Sequence, residues 1–337
     1  MIKRVFHIIA SNPYIAVYSM GYIVVYITIN VCTPYVKHWD FINSLNRWKK
    51  SRKPLTLMLK GCNLRMGNNQ IKDYLNIGGV DVNTLFRKRI GLSENDKITF
   101  ETLETVLEHM AYQIPFENLS ILKNHHKDLN KTNLINKVLV KNEGGLCYEL
   151  NTILYYFLKE NGFNVRLVRG VVFNHQLQRY NDFGRTHVTI LIEHENQTYL
   201  VDTGFGGNLP LKPVPLTGEV VSSNNGEFRV MKEESTYGDY VLEMKIKNRD
   251  SDWKKGFTFD STNYVEDVSE LNEIQSIIIE HPESPFNKKP LVTKLTRNGN
   301  LILTDTSFTE WKDGNVMKEE IDQVTFNKLL KQHFGME

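Results

Sequence analysis

The segment Gly144-Gly145-Leu146-Cys147 places a cysteine directly after a glycine pair, at the start of an apolar stretch. The apolar residues that follow recur every three or four positions, which predicts a helix that begins at Cys147 and stops at Gly162. Free backbone N–H groups at a helix N-terminus favour the thiolate, which is the nucleophilic form of cysteine. The glycines leave room for a substrate. These features are typical of a reactive thiol.

A nucleophilic cysteine needs a base, and the base needs a group that orients it. The β-rich segments 186–192 and 199–202 predict a hairpin with a polar turn between them. In an antiparallel pair centred on that turn, His187 and Asp202 lie opposite each other or one residue off. We therefore predict a Cys-His-Asp triad in which Asp202 fixes the tautomer of His187 and His187 deprotonates Cys147.

Each member of this triad also has an ordinary structural explanation. A single cysteine is more often a small buried hydrophobic residue. His187 alone suits a hydrogen-bonded core position, and Asp202 alone suits a strand-end cap. The sequence contains no paired CxxC and no HExxH spacing, so we predict no metal site. Other histidines in polar loops are interpreted as solvated: His125, His126, His175 and His194.

Four segments resemble motifs of the arylamine N-acetyltransferase family, in the same order and at similar spacing. They are Pro115-Phe116-Glu117-Asn118, Gly144-Gly145-Leu146-Cys147, Thr186-His187-Val188 and Asp202-Thr203-Gly204-Phe205-Gly206. The resemblance runs from about residue 85 to about residue 308. It implies an α+β fold with a papain-like thiol-enzyme core, divided into a helical segment that carries the nucleophile (66–163), a β-barrel-like segment that carries histidine and aspartate (164–270) and a mixed α/β lid (271–337).

The resemblance also implies a ping-pong reaction and a role in xenobiotic metabolism. Acetyl-CoA would acetylate Cys147, CoA would leave, and an arylamine, a hydrazine or an N-hydroxyarylamine would accept the acetyl group. The implied binding residues are an acceptor pocket at Phe116 and Phe205 and a loop near bound CoA at Gly204, Gly206 and Gly207. Core packing of the phenylalanines and a simple turn at the glycines are the alternative interpretations.

Other functions would use the same triad. An amide synthase of the same superfamily would transfer a larger acyl chain. A papain-like or transglutaminase-like hydrolase would pass the acyl group to water or to a protein lysine. A binding module with a silenced site is a further alternative, because Glu143 stands where the family motif has arginine. A carboxylate that faced the thiol would oppose thiolate formation, whereas one that faced solvent or Lys141 would not.

Residues 1–65 differ in composition from the rest of the chain, with ten Lys and Arg but a single acidic residue, Asp40. Residues 14–33 are uncharged and long enough to span a bilayer, and the larger positive cluster after them places the C-terminal side in the cytoplasm. The interpretation that we favour is a spurious or unstructured extension, with Met66 as the start. The membrane span and the spurious extension both predict that the catalytic part is cytoplasmic. Association with a membrane is expected only if residues 1–65 are real.

The remaining residues carry a mild negative net charge and no basic stripe with interleaved aromatic residues. This pattern argues against nucleic-acid binding. Apolar periodicity predicts helices over residues 99–114, 133–140 and 318–334, with a series of strands between the second and the third.

Overall fold

The computed structural model describes residues 55–59, 62–66 and 81–337. The chain divides between Asp81 and Val82 into two units. In the first unit, β1 (Leu55–Leu59) pairs antiparallel with β2 (Cys62–Met66). The membrane span that was the alternative interpretation of residues 14–33 lies outside the described residues. None of the helices within the described ranges combines the length and the apolar character that a bilayer span requires.

Helices dominate the first part of the second unit. They are α1 (Val82–Ile90), α2 (Leu103–Gln113), α3 (Leu119–Leu122), α4 (Lys131–Leu134) and α5 (Cys147–Glu160). The helix predicted from residue 99 is present as a 3-10 turn that leads into α2, and Pro115 ends it before the short strand β3 (Phe116–Glu117). The helix predicted over 133–140 is present as α4 followed by a π-helix, Ile135–Val140.

Helix α5 is the centre of the main hydrophobic core, because its apolar residues recur with the helical period and so share one face. Phe157 stacks on Phe86 of α1 with ring centroids 4.3 Å apart. The same core takes in one face of the neighbouring sheet, where Val188, Ile190 and Ile192 are buried. This packing fixes the start of α5 against the sheet.

The sheet of the second unit consists of long antiparallel strands that curve towards a barrel. They are β4 (Asn164–Asn174), β5 (Arg179–Tyr180), β6 (His187–His194), β7 (Gln197–Val201), β8 (Val214–Pro215), β9 (Val221–Ser223), β10 (Gly226–Ser235), β11 (Gly238–Ile246) and β12 (Lys254–Tyr264). The spatial order is β8-β7-β6-β4-β12-β11-β10-β9, with β5 beside β4. Strands β8 and β10 also contact each other, so the barrel is nearly closed. Its interior is filled by residues such as Leu191, Phe228 and Phe257.

The β6–β7 hairpin has a different register from the predicted one. Its turn consists of Glu195 and Asn196, both with positive φ (48° and 63°), as in a type I′ turn. Ile190 pairs with Val201, so a continued ladder would bring Asp202 level with Thr189. The prediction that Asp202 lies opposite His187 or one residue off was therefore wrong: the two are separated by two residues along one face.

The last part of the chain forms a second sheet. Its elements are α6 (Leu271–Glu280), β13 (Leu291–Thr296), β14 (Gly299–Thr304), β15 (Ser307–Lys312), β16 (Asn315–Glu320) and α7 (Gln323–Phe334). Strand β3 pairs with β13 and so joins this sheet to the helical part. The final helix begins five residues later than predicted, because β16 occupies Lys318 and Asp322 caps α7 through the N–H of Thr325. The α+β class is confirmed, whereas the division into three segments stays a prediction.

Candidate active site

The loop before α5 places Cys147 at the first position of the helix. The N–H of Gly145 donates to the carbonyl oxygen of Pro115 at 3.3 Å, and the N–H of Glu117 donates to that of Gly145 at 3.0 Å. A Cβ atom on Gly144 would lie 2.1 Å from the oxygen of Pro115. Only glycine fits this approach of two backbones, which gives the glycine pair before Cys147 a steric reason.

The structure brings Cys147, His187 and Asp202 together. Nε2 of His187 lies 2.7 Å from Oδ2 of Asp202, and the two side chains are 3% and 0% exposed. The thiol Sγ of Cys147 lies 3.5 Å from the carbonyl oxygen of Thr186, the residue before His187, and it acts electrostatically on the imidazole. Because Nε2 faces the carboxylate, Nδ1 is the ring nitrogen that remains for the thiol. This arrangement can move a proton between sulfur and imidazole while Asp202 holds the ring.

The electrostatics of this group favour a protonated imidazole. Burial lowers the pKa of His187, but the charge and hydrogen bond of Asp202, together with the contact to Cys147, outweigh it and raise that pKa from 6.5 to about 10. An imidazolium at neutral pH is the natural partner of a thiolate. The site therefore resembles an ion pair that is ready for nucleophilic attack.

Because the pKa of His187 is raised in the folded protein, the free energy of unfolding should depend on pH. A proton held more tightly in the folded state stabilises the fold fully below pH 6.5, and this contribution is lost as the pH rises through about 10. The free energy of unfolding of the wild type minus that of a His187→Gln variant should fall over this window, by at most about 1.4 kcal/mol per pH unit. Urea titrations of both proteins from pH 6 to pH 10 measure it. A difference that stays flat or grows would contradict the paired imidazolium.

Asn151 is a fourth member of the site that the sequence argument missed. It lies one helical turn after Cys147, is 0% exposed, and donates from Nδ2 to Asp202 Oδ1 at 3.2 Å and to the oxygen of Val188 at 2.7 Å. Its Oδ1 accepts from the N–H of Thr203 at 2.9 Å. A single amide thus joins the helix, β6 and the aspartate loop. A polar residue four positions after the cysteine on an apolar helix was the available signal.

The loop after β7 packs directly against the triad. The N–H of Gly204 donates to Asp202 Oδ1 at 2.7 Å. The ring of Phe205 meets the ring of His187 edge-on, with centroids 5.2 Å apart. Gly206 and Gly207 lie farther along, towards β13 and β14, where a Cβ on Gly207 would come within 2.9 Å of Asn300 Nδ2. Gly204 and Phe205 are therefore the loop residues nearest to the thiol.

Phe116 lies mainly in the core. It is 9% exposed and meets Phe286 edge-on at 5.6 Å, while its backbone bridges to Gly145 of the nucleophile loop. The side chain of Glu143 is 37% exposed, and its Oε1 lies 3.9 Å from Nζ of Lys141. The sequence left open whether this carboxylate faces the thiol or faces solvent or Lys141, and the structure shows it towards Lys141.

Gly204 packs so closely against α5 that a side chain at this position should disturb Cys147. A Cβ atom there would lie 2.6 Å from Cα of Cys147 and 2.8 Å from Asn151 Nδ2. Gly204→Ala should therefore lower the free energy of unfolding by about 1–3 kcal/mol. It should also slow the alkylation of the Cys147 thiol by about 10²-fold. Thermal melts and the rate of thiol alkylation measure these effects.

Gly162→Ala is the matched control, because Gly162 lies at the other end of α5. Its φ is +84° and an added Cβ would meet nothing within 4 Å, so backbone strain of about 1–2 kcal/mol is its only expected cost. It should lower stability without changing the chemistry of Cys147. Equal losses of reactivity in the two variants would contradict the proposed importance of the Gly204 contact.

Within the described residues, the other histidines named in the sequence analysis do not form a metal centre. In the part of the chain that the structure describes, no group of three or more His, Cys, Asp or Glu side chains is arranged to hold a metal ion. His194 stacks on Phe100 at 4.1 Å, and Nε2 of His175 lies 2.8 Å from the carbonyl oxygen of Lys255. These histidines have structural partners, although they were interpreted as merely solvated.

Three comparisons with known proteins point in the same direction. A family model described as N-acetyltransferase matches residues 99–337. An uncharacterized acetyltransferase of Bacillus subtilis is 40% identical over 242 residues, covering 72% of this chain and 93% of the relative. An arylamine N-acetyltransferase / N-hydroxyarylamine O-acetyltransferase of Salmonella typhimurium is 31% identical over 245 residues, covering 71% and 83%. A solved arylamine N-acetyltransferase of Bacillus cereus, described as having a unique Cys-His-Glu catalytic triad, is 42% identical, covers 76% of this chain and 99% of that chain, and has a TM-score of 0.72.

Proposed function

The chain belongs to the arylamine N-acetyltransferase family, and we propose that it transfers an acetyl group from acetyl-CoA to an aromatic amine, a hydrazine or an N-hydroxyarylamine through a thioester on Cys147. The observation that carries this proposal is the contact of Cys147 with a buried imidazole that is itself bound to Asp202 at 2.7 Å. In this proposal Cys147 is the nucleophile, His187 the acid and base, and Asp202 the group that orients His187.

The first half-reaction acetylates the enzyme. The thiolate of Cys147 attacks the carbonyl carbon of acetyl-CoA, and a C–S bond forms while the carbonyl oxygen becomes anionic. The N–H of Cys147, in the first turn of α5, has no partner within the helix and is a candidate donor to that oxygen. When the intermediate collapses, the bond to CoA breaks and the imidazolium of His187 gives its proton to the leaving sulfur. CoA then leaves as a thiol, and His187 remains neutral.

The second half-reaction returns the enzyme to its starting state. The amine attacks the thioester carbon, and neutral His187 takes the proton that the nitrogen loses. The C–S bond to Cys147 breaks, so the acetylated amine leaves and the thiolate and imidazolium are restored. Asp202 stays ionised throughout and stabilises the imidazolium.

The acceptor pocket is proposed beside His187. The half-buried ring of Phe205 packs edge-on against both His187 and Phe257, at 5.2 and 5.1 Å. A flat aromatic amine can pack against such a ring close to the thioester. Phe116 lies deeper, so we infer that it supports the pocket floor rather than holding the acceptor. Gly204, Gly206 and Gly207 are proposed to leave backbone space for CoA along the same loop.

Steady-state kinetics with varied acetyl-CoA and a varied arylamine, with CoA release and acetylated amine measured together, test this function. Parallel double-reciprocal lines and one acetylated amine per CoA are expected for a ping-pong transferase. Turnover only with longer acyl donors would favour an amide synthase instead. Release of CoA without any acetylated amine would favour a thiol hydrolase. Either outcome would overturn the proposal.

A further inference from the structure

A buried charge cluster lies behind the nucleophile loop and has no part in the proton transfers. Lys137, from the π-helix Ile135–Val140, has a side chain only 14% exposed. Its Nζ lies 2.6 Å from Glu149 Oε1, 3.4 Å from Glu117 Oε1 and 3.0 Å from the hydroxyl oxygen of Ser120. One ammonium therefore faces two buried carboxylates from two different elements, β3 and α5.

Both glutamate side chains lie against the loop that leads to Cys147. Glu149 Oε2 accepts from the N–H of Leu146 at 3.0 Å, and a Cβ on Gly145 would lie 2.8 Å from the same oxygen. A Cβ on Gly144 would lie 2.8 Å from Cγ of Glu117. The two side chains thus enclose the glycine pair, and a movement of either one would shift the start of α5.

The ammonium of Lys137 compensates the buried negative charge of this cluster. Burial lowers the pKa of Lys137, but the charges of Glu149 and Glu117 outweigh it and raise that pKa, so the ammonium stays protonated. Burial and the charge of Glu117 raise the pKa of Glu149, although Lys137 opposes this change. Removing one partner from a buried charge pair is strongly unfavourable, because it leaves the other charge without compensation. Without Lys137, the two carboxylates would repel each other across the loop.

We propose that Lys137 is a positioning residue for Cys147: by holding Glu117 and Glu149 on either side of the glycine pair, its ammonium fixes the thiolate against His187. Glu143 stands where the family motif has arginine, and the cation of this cluster is Lys137, six residues earlier. Lys137 lies in a π-helix, and such wider turns occur often at functional sites. Its backbone is also tied to the loop, because the N–H of Glu143 donates to the oxygen of Lys137 at 3.1 Å.

The test compares Lys137→Met with Lys137→Arg, which keeps the charge. Lys141→Met is the matched control, because Lys141 is a half-exposed lysine on the same segment and pairs only loosely with Glu143 at 3.9 Å. The main readout is the rate at which iodoacetamide alkylates Cys147, followed by peptide mapping because the sequence also holds Cys32 and Cys62. Acylation by acetyl-CoA and the melting temperature are measured in parallel, well below each variant's melting point.

Lys137→Met is expected to lower both the alkylation and the acylation rate by about 10²-fold, as for other displaced catalytic groups. Lys137→Arg should stay within about fivefold of the wild type, since a guanidinium also pairs with carboxylates. Lys141→Met should change neither rate. A lower melting temperature with wild-type rates in folded Lys137→Met would show a merely structural role and would overturn the proposal.

A triple variant keeps the proposal testable if Lys137→Met does not fold. Lys137→Met combined with Glu117→Gln and Glu149→Gln removes every charge of the cluster but keeps amide oxygens for the N–H groups of Leu119 and Leu146. It should alkylate Cys147 within about tenfold of the wild type, because no uncompensated charge remains. A loss of about 10²-fold or more in this variant would contradict positioning by charge balance.

This inference depends on the proposed function only for the acylation readout, because alkylation requires no acetyl-CoA. A wild-type protein that is alkylated at Cys147 but never acetylated would count against the proposed function alone. Besides its two partners, the charge of Glu143 acts on Lys137, and Tyr148 is close enough to Glu149 and Glu117 to feel their charges. The alkylation rates are therefore compared at one fixed pH near neutrality, the same for every variant.

Discussion

Replacing Cys147 by serine is expected to lower acetyl transfer by more than about 10⁴-fold while the protein stays folded. A hydroxyl holds its proton far more tightly than a thiol does, and His187, whose pKa is raised to about 10, already carries a proton near neutrality. The serine would therefore have no base to activate it. Because Cys147 is only half-buried, the free energy of unfolding should change by less than about 1 kcal/mol. Initial rates of CoA release and a thermal melt measure both quantities.

A variant with Cys32→Ser and Cys62→Ser is the matched control, since it removes the other two cysteines of the sequence and keeps Cys147. It should retain wild-type rates. Measurable acetyl transfer by Cys147→Ser at more than a tenth of the wild-type rate would place the nucleophile elsewhere. Loss of activity in the control but not in Cys147→Ser would have the same meaning.

Replacing Asp202 by asparagine is expected to lower kcat/KM by about 10³–10⁴-fold, as an aspartate-to-asparagine change does in a triad hydrolase. Oδ1 of Asp202 accepts from Gly204 N and Asn151 Nδ2, so an asparagine that keeps these bonds must turn its own amide donor towards His187. Nε2 of His187 would then have to accept, which moves the ring proton to Nδ1, facing the thiol. The imidazole would be held in the wrong tautomer for taking a proton from sulfur.

Asp202→Glu is the control for the charge, because it keeps a carboxylate. The Bacillus cereus relative, which is described as having a Cys-His-Glu triad, is 42% identical to this chain. We expect the glutamate variant to be considerably more active than the asparagine variant, with the added methylene group as its main cost in a fully buried position. Equal activity of the asparagine variant and the wild type would show that the carboxylate does not orient His187.

Local patterns were sufficient to predict the elements that carry the triad. The 3.6-residue period after Cys147 identified α5, and the β-rich composition around His187 identified β6, because both signals depend on neighbours in the sequence. The position of the turn was predicted correctly, but the register was not. The centre of the turn, between Glu195 and Asn196, brings Asp202 level with Thr189 in a continued ladder. Asp202 therefore reaches His187 diagonally, two residues along the same face.

The parts of the site that were missed depend on packing between distant segments. Asn151 binds residues that lie about fifty positions later in the chain, at Asp202 and Thr203. The pairing of Lys137 with Glu117 requires β3 and the π-helix to meet behind the loop. The sequence shows only an ordinary lysine and an ordinary glutamate at these positions. Their burial and contacts follow from the fold, so the sequence alone could not reveal them.

The most direct test of the central claim is the mass of the intact protein after mixing with acetyl-CoA, followed by addition of an arylamine. One added acetyl group is expected, located on the peptide that contains Cys147, and it should transfer completely to the amine with an equal amount of acetylated product. A folded wild-type protein that releases no CoA and gains no acetyl group would contradict the account. So would acetylated amine that forms without any acetylated Cys147.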